Sequence, residues 1–256
     1  MLPLREARDP SLQRRPATLV WALVFANLLA FGLEQAMALQ GDTSFIVAWS
    51  FIPRMLTHLD TGHGVVTIFT AMFLHAGWVH LLGNLWFLWF FGRSVEDALG
   101  HSRFLALYLA GGVVAALAQT LVDPSSKLPM LGASGAIGAV LAAYVSLFPM
   151  RRIVTVVPIL IVPLLIPLPS FVFVLEWFAF NLLRGIGTFH LQHAQGGVAW
   201  WAHVGGFLSG LVLVRVLFPR AISVIDENAP HRELGVEVRD PDGNRYPTTT
   251  THSSWD

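Results

Sequence analysis

Six stretches of this chain run almost without a charged residue, and a chain so built has few ways to fold in water. They are Pro16–Leu33, Trp78–Val95, Phe104–Val122, Ser134–Met150, Pro167–Leu183 and Trp200–Val214. A membrane-crossing helix needs about 20 mostly apolar residues, with a range of roughly 17–25. Only 12% of the residues are charged and 54% are hydrophobic, against about 25% charged in a soluble domain. The sequence therefore predicts an all-α polytopic membrane protein of six transmembrane helices. Segment 1–16 precedes the bundle, which occupies 17–218. A polar tail, 219–256, follows and is expected to be disordered in the cytoplasm. The N-terminal run reads as a retained span rather than a cleaved signal, because it is too long for a signal core and its leading segment carries Glu6 and Asp9.

The apolar stretch "IVTVVPILIVPLLIP" (153–167) is not counted as a span. It holds Pro158, Pro163 and Pro167, and a proline inside a helix costs about 3 kcal/mol. It reads as an interfacial connection into the fifth span. Net charge is zero and cysteine is absent, so neither nucleic acid nor thiolate chemistry is indicated.

Basic residues set the orientation. Arg5, Arg8, Arg14, Arg15, Arg93, Arg103, Arg151, Arg152, Arg215 and Arg220 fall on one side, and Arg54, Lys127 and Arg184 on the other. Both termini are expected in the cytoplasm, with a bacterial cytoplasmic membrane the simplest home and an organelle membrane the alternative. Spans two, four and six then all begin in the outer leaflet, and the polar residues of the apolar runs gather there. His75, His80 and Asn84 lie around the start of span two, Ser134 opens span four and His203 opens span six. Any one of them is ordinary packing glue; their convergence at one depth marks a functional site.

Ser134 is the candidate nucleophile and His203 its candidate base, since a serine hydroxyl attacks only when a base takes its proton. The Ser134 N–H, at a helix start, is free to bind an oxyanion. His80 and Asn84, four apart on one helical face, are candidate further donors. Gly206 and Gly210 give span six a small-xxx-small edge, answered by Gly135, Gly138 and Ala139 on span four. Rival chemistries fit less well. H-E-x-x-H is absent, so no zincin and no metal site is indicated, and an aspartyl mechanism needs two intramembrane acids where only Glu176 qualifies. A bis-histidine haem site on His80 and His203 leaves Ser134 and its glycines without a purpose. A transporter would show interrupted helices in an inverted repeat, and none is visible.

Four stretches resemble, in order and spacing, the rhomboid intramembrane serine proteases: "HAGWVHLLGN" (75–84), "FGRSVEDALG" (91–100), "GASGAIG" (132–138) and "AWWAHVGGFLSG" (199–210). The resemblance covers residues 50–217. It implies a six-helix bundle with a Ser134–His203 dyad, and an oxyanion hole of His80, Asn84 and the Ser134 N–H. His75 supports that site from the loop side, and Gly132, Gly135, Gly206 and Gly210 are structural. No cofactor is implied. The partners implied are the lipid bilayer and single-span or other membrane proteins, cut near the outer face. Residues 40–74, with "FIPRML", would form a membrane-embedded first loop, and span five would flank substrate entry. A catalytically idle helix-binding chaperone or adaptor is the alternative.

Three positions depart from the resemblance. Gly138 stands where some relatives stack an aromatic ring on the catalytic imidazole, Ala139 where glycine is common, and Glu176 where a small or apolar residue is usual. Glu96 and Asp97 are expected to pair with Arg93 and Arg103. His63, His190 and His193 receive no role.

Overall fold

The six charge-free runs all fold as helices in the computed structural model, which describes residues 1–6, 15–42, 44–59, 61–159, 162–190 and 198–217. The chain opens with strand β1 (Leu2–Glu6), then α1 (Thr18–Leu39), the short α2 (Ser44–Trp49), a π-helical turn and α3 (Thr61–Thr70). Next come α4 (Trp78–Leu99), α5 (His101–Val122) and α6 (Ser134–Leu147). Strands β2 (Arg152–Ile159) and β3 (Val162–Pro169) lead into α7 (Ser170–His190) and α8 (Trp200–Leu217). The tail 219–256, with His193 before it, lies outside the described residues.

Length divides the helices. Thr18–Leu39, His101–Val122 and Ser170–Thr188 are long and apolar enough to cross a membrane. A fourth crossing arises if Gly62–Phe73 and Trp78–Leu99, bent by 82° at their junction, count as one span. Helices α6 and α8 are apolar but shorter. The 14 residues of α6 rise about 21 Å, against a hydrocarbon core of about 30 Å.

Helix α6 is the hub. From Ala136 to Tyr144 every residue is buried, and α8, α5 and α4 surround it. Such approach needs small residues, because between apolar helices in lipid the attraction is chiefly close packing. A Cβ built on Gly206 of α8 would stand 2.1 Å from the Gly135 carbonyl oxygen, and one on Gly210 would stand 2.4 Å from that of Ala139. Ala139 does not widen this seam. Its methyl points toward α5, where a Cβ on Gly111 would come within 2.3 Å of it.

The proline-bearing connection into α7 is built as a hairpin. β2 and β3 pair antiparallel from Arg152↔Pro169 to Ile159↔Val162, and β1 adds on the far side of β2 with Leu2↔Val156 to Glu6↔Ile153. The β-branched series Ile153, Val154, Thr155, Val156 and Val157 suits a strand. The prolines sit where a missing N–H is tolerated. Pro163, Pro167 and Pro169 are on edge strand β3, and Pro158 lies beyond Val156, where β1 stops pairing. The all-α expectation thus gives way to a mostly helical fold with one three-stranded sheet.

This sheet carries a buried polar knot. The Glu6 carboxylate accepts hydrogen bonds from Ser94 Oγ (2.8 Å), Tyr144 Oη (2.8 Å) and the Arg151 guanidinium. The Arg151 and Glu6 side chains are 3% and 8% exposed. Removing one partner of a buried pair leaves the other charge uncompensated, at about 3–5 kcal/mol. Glu6→Ala is therefore expected to lower the thermal midpoint in detergent markedly, and Glu6→Leu combined with Arg151→Met to recover most of the loss. An unchanged midpoint for Glu6→Ala would show that the knot is not stabilising.

Glu96 acts differently from the pairing with Arg93 and Arg103 expected of it. Ala17 provides no side-chain cap for α1. Instead the Glu96 carboxylate accepts the Leu19 and Val20 N–H groups (2.8 and 2.9 Å) and sits 2.6 Å from His101 Nδ1. An anion at a helix N-terminus satisfies orphan donors and complements the dipole. Asp97 accepts the Arg15 N–H at 2.7 Å.

Candidate active site

Ser134 is the first residue of α6 because the loop before it is held from the opposite side. Phe51 and Met130 exchange both backbone hydrogen bonds, the Arg54 N–H donates to Ser126, and the Gly132 N–H donates to the Ala71 carbonyl at 2.8 Å. The segment expected as a membrane-embedded first loop is thus a run of short helical pieces that pins loop 123–133. Gly132 has φ +120°, a conformation that side chains resist. A Cβ there would also stand 2.7 Å from His80 Nε2 and 3.4 Å from Asn84 Nδ2. Glycine at 132 therefore lets two side-chain nitrogens of α4 crowd against the backbone just before Ser134.

The glycine seam between α6 and α8 brings the hydroxyl and the imidazole together. Ser134 Oγ and His203 Nε2 are 2.7 Å apart. Both line a cavity of about 810 Å³ whose wall also includes His80, Asn84, Trp177 and Asn181. His80 Nδ1 accepts the Ala76 N–H at 3.4 Å, so its proton belongs on Nε2, the nitrogen beside Gly132. Asn84 Nδ2 is buried with no hydrogen-bond partner among the described residues. An unpaired buried amide costs free energy, so this donor is held ready for an acceptor. Among the described residues no three His, Asp or Glu side chains group so as to hold a metal ion.

His75 is nearly fully buried. Its ring meets that of His80 edge-on at 5.1 Å, and its Nδ1 lies 3.2 Å from the Phe73 carbonyl. Its backbone N–H donates to Glu34 at 3.1 Å. Glu34 is 1% exposed and was hidden by ending the first run at Leu33; α1 continues to Leu39 and carries this acid inside. Glu176 is thus not the only acid among the apolar helices. It is partly buried on α7 and does not line the cavity.

Gly138, which cannot stack on His203, lies against α8 itself: a Cβ there would be 3.1 Å from the His203 carbonyl oxygen. The rings beside the imidazole come from elsewhere. Trp177 of α7 is tilted at 5.9 Å and Trp200 of α8 is edge-on at 6.0 Å. The polar neighbour that the sequence did not single out is Asn181 of α7, whose Oδ1 is 2.6 Å from His203 Nδ1. Its only signal was being a polar side chain in an apolar run searched for charges.

An apolar helical assembly that joins a hydroxyl and an imidazole in an internal cavity has the build of a membrane protein with a polar site inside it. Residues 62–220 match the family described as Rhomboid domain. The chain belongs to the rhomboid family and is a membrane protein. It is 36% identical over 224 residues to Rhomboid-like protein 11, chloroplastic, of Arabidopsis thaliana, covering 85% of this chain and 72% of that one. It is 33% identical over 204 residues to human Presenilin-associated rhomboid-like protein, mitochondrial, covering 75% and 46%. It is 29% identical over 202 residues to Rhomboid protein 1, mitochondrial, of Saccharomyces cerevisiae, covering 77% and 52%. The match spans about half the length of the two mitochondrial relatives. Their names assign these relatives to mitochondria and chloroplasts, at odds with the expected bacterial membrane.

Proposed function

We propose that this chain is an intramembrane serine endopeptidase that cuts other membrane proteins within the bilayer. The observation that carries the reading is the 2.7 Å approach of Ser134 Oγ to His203 Nε2 inside a cavity flanked by unspent donors. In this reading the helices of all six charge-free runs, the shorter α6 and α8 included, span the membrane, both termini lie on the arginine-rich side with the tail 219–256, and the short α6 opens the site below the opposite surface. Irregular backbone at that depth is tolerated beside a water-filled cavity, and such a cavity supplies the water that hydrolysis needs.

Ser134 Oγ attacks the scissile carbonyl as His203 Nε2 takes its proton. The oxyanion is met by the Ser134 N–H, Asn84 Nδ2 and His80 Nε2–H, and His75 backs the His80 ring. The imidazolium then protonates the leaving amine. Water, deprotonated by His203, attacks the acyl-enzyme and releases the new carboxylate. Donors already aimed at the developing negative charge lower the barrier more than any other feature of such a site. Removing one costs about 10²–10³-fold in kcat. Asn84→Ala is expected to lose that much with KM little changed; a loss confined to KM would assign Asn84 to substrate binding.

The test is to treat the purified wild-type protein with a fluorophosphonate, map the adduct, and assay a single-span substrate in proteoliposomes. An adduct on Ser134 alone, together with cleavage, supports the reading. An unlabelled Ser134 without cleavage moves the assignment to the idle helix-binding adaptor.

A further inference from the structure

A base that receives the Ser134 proton must have Nε2 bare, so the single proton of the neutral imidazole must sit on Nδ1. An exposed histidine exchanges between the two tautomers; one of them is useless here. The partner of Nδ1 is Asn181 Oδ1, at 2.6 Å.

An asparagine amide could in principle face either way, and only one way gives the productive tautomer. Here the opposite end of the amide decides. Asn181 Nδ2 donates to the Trp177 carbonyl at 2.7 Å, one helical turn back. Turning the amide over would set Oδ1 against that carbonyl oxygen, two acceptors face to face. With Nδ2 committed to the helix backbone, Oδ1 faces the imidazole and can only accept, so Nδ1 must donate. Asn181 is 3% exposed, which limits the access of cavity water to the bond. The ring of Trp177, one turn back on the same face of α7, lies tilted beside the imidazole at 5.9 Å.

We propose that Asn181 is a positioning residue that locks His203 in the Nδ1–H tautomer and turns Nε2 onto Ser134. The inference rests on the peptidase reading for its catalytic consequence, but its hold on the imidazole is a separate fact about the protein. The arrangement also crosses elements. Ser134 and His203 belong to the α6–α8 seam, whereas the residue that makes their contact productive belongs to α7, packed chiefly on α8 with Leu175 and Leu183 exposed on its outer side. The reactivity of Ser134 is thereby tied to the seating of α7.

The experiment compares wild type, Asn181→Leu and Asn181→Asp. Leucine keeps the approximate volume without an acceptor; aspartate keeps an acceptor oxygen. Three readouts are taken in detergent: the rate of Ser134 acylation by a fluorophosphonate, kcat and KM on a single-span substrate, and the His203 tautomer by nitrogen-15 NMR of histidine-labelled protein. Wild type is expected as the Nδ1–H tautomer. Asn181→Leu is expected to acylate about 10- to 100-fold more slowly, the scale of a misplaced catalytic group, with kcat falling and KM unchanged, and to show mixed tautomers. Asn181→Asp is expected to keep the tautomer and to acylate much nearer the wild-type rate. Wild-type acylation and an unchanged tautomer in Asn181→Leu would overturn the proposal. So would an Asn181→Asp loss as deep as that of leucine, which would make the position one of packing. A wild type that neither labels nor cleaves, yet shows the tautomer shift in Asn181→Leu, overturns the peptidase reading while supporting the hold of Asn181 on His203.

Discussion

Ser134→Ala and His203→Ala are each expected to reduce cleavage of a single-span substrate by at least about 10⁴-fold, and the double variant to fall no further. Nucleophile and base act as a unit, so once either is gone the other has nothing to do. The proton that leaves Oγ has Nε2 at 2.7 Å to receive it, and the residual rate then rests on the oxyanion donors and binding alone. Stability should scarcely move for Ser134→Ala. The variant deletes one oxygen and one hydrogen bond worth about 1 kcal/mol net, a shift of about 2–4 °C in a domain of this size. Circular dichroism melts beside the cleavage assay separate the two quantities. Cleavage within tenfold of wild type in either single variant would assign the activity to other residues.

Gly206→Val should disturb both the fold and the site. A Cβ at this position would meet the Gly135 carbonyl oxygen at 2.1 Å and its carbon at 2.9 Å. These are backbone atoms and cannot rotate aside. Ordinary contact is reached only if α8 and α6 part by about an ångström or more. Overpacking of this kind costs about 1–3 kcal/mol. The same displacement acts on His203, one turn before Gly206, and a misplacement of about 1 Å costs about 10²-fold in rate. Loss of both Ser134 labelling and thermal stability is therefore expected from one side chain. Gly32→Ala in α1, where a Cβ would meet none of the described residues within 4 Å, is the matched control and should leave both unchanged. A fully active, stable Gly206→Val protein would show that the seam is not tight.

How much of this could be read from residues alone depended on whether a residue stood out locally. Ser134 and His203 did, as polar groups at the starts of apolar runs, and their glycine neighbours carried the close approach. His80 and Asn84 followed from their four-residue spacing. Asn181 did not stand out, because its role depends on α7 lying against α8, a packing fact with no local pattern. Glu34 was lost to a boundary, since a helix that continues past its last strongly apolar residue carries one more acid inside. Glu96 was read as an ion-pairing residue because charge is visible in sequence, whereas the bare N-terminus of α1 that it caps is 76 residues away.

The prolines of 153–167 correctly excluded a helix, but the strands on either side of its turn were not read from the sequence. What the run concealed was its third strand, the "LPLRE" of residues 2–6, too short and too distant to be matched to it. Ala139 shows the opposite case. Its methyl was assigned to the wrong neighbour because helix faces cannot be told apart when every side is apolar.

That distant strand bears on the order in which the protein assembles. β1 is synthesised well before its pairing partner, β2, which begins at Arg152, and the cation that neutralises Glu6 is Arg151. During synthesis, α1, α4, α5 and α6 emerge before either is available. Contacts of such long sequence separation form late. Until residue 151 is made, Glu6 lacks the Arg151 guanidinium. The sheet thus works as a latch that can be set only after α6 has been synthesised, and a chain halted before residue 151 would be left with strand β1 unpaired.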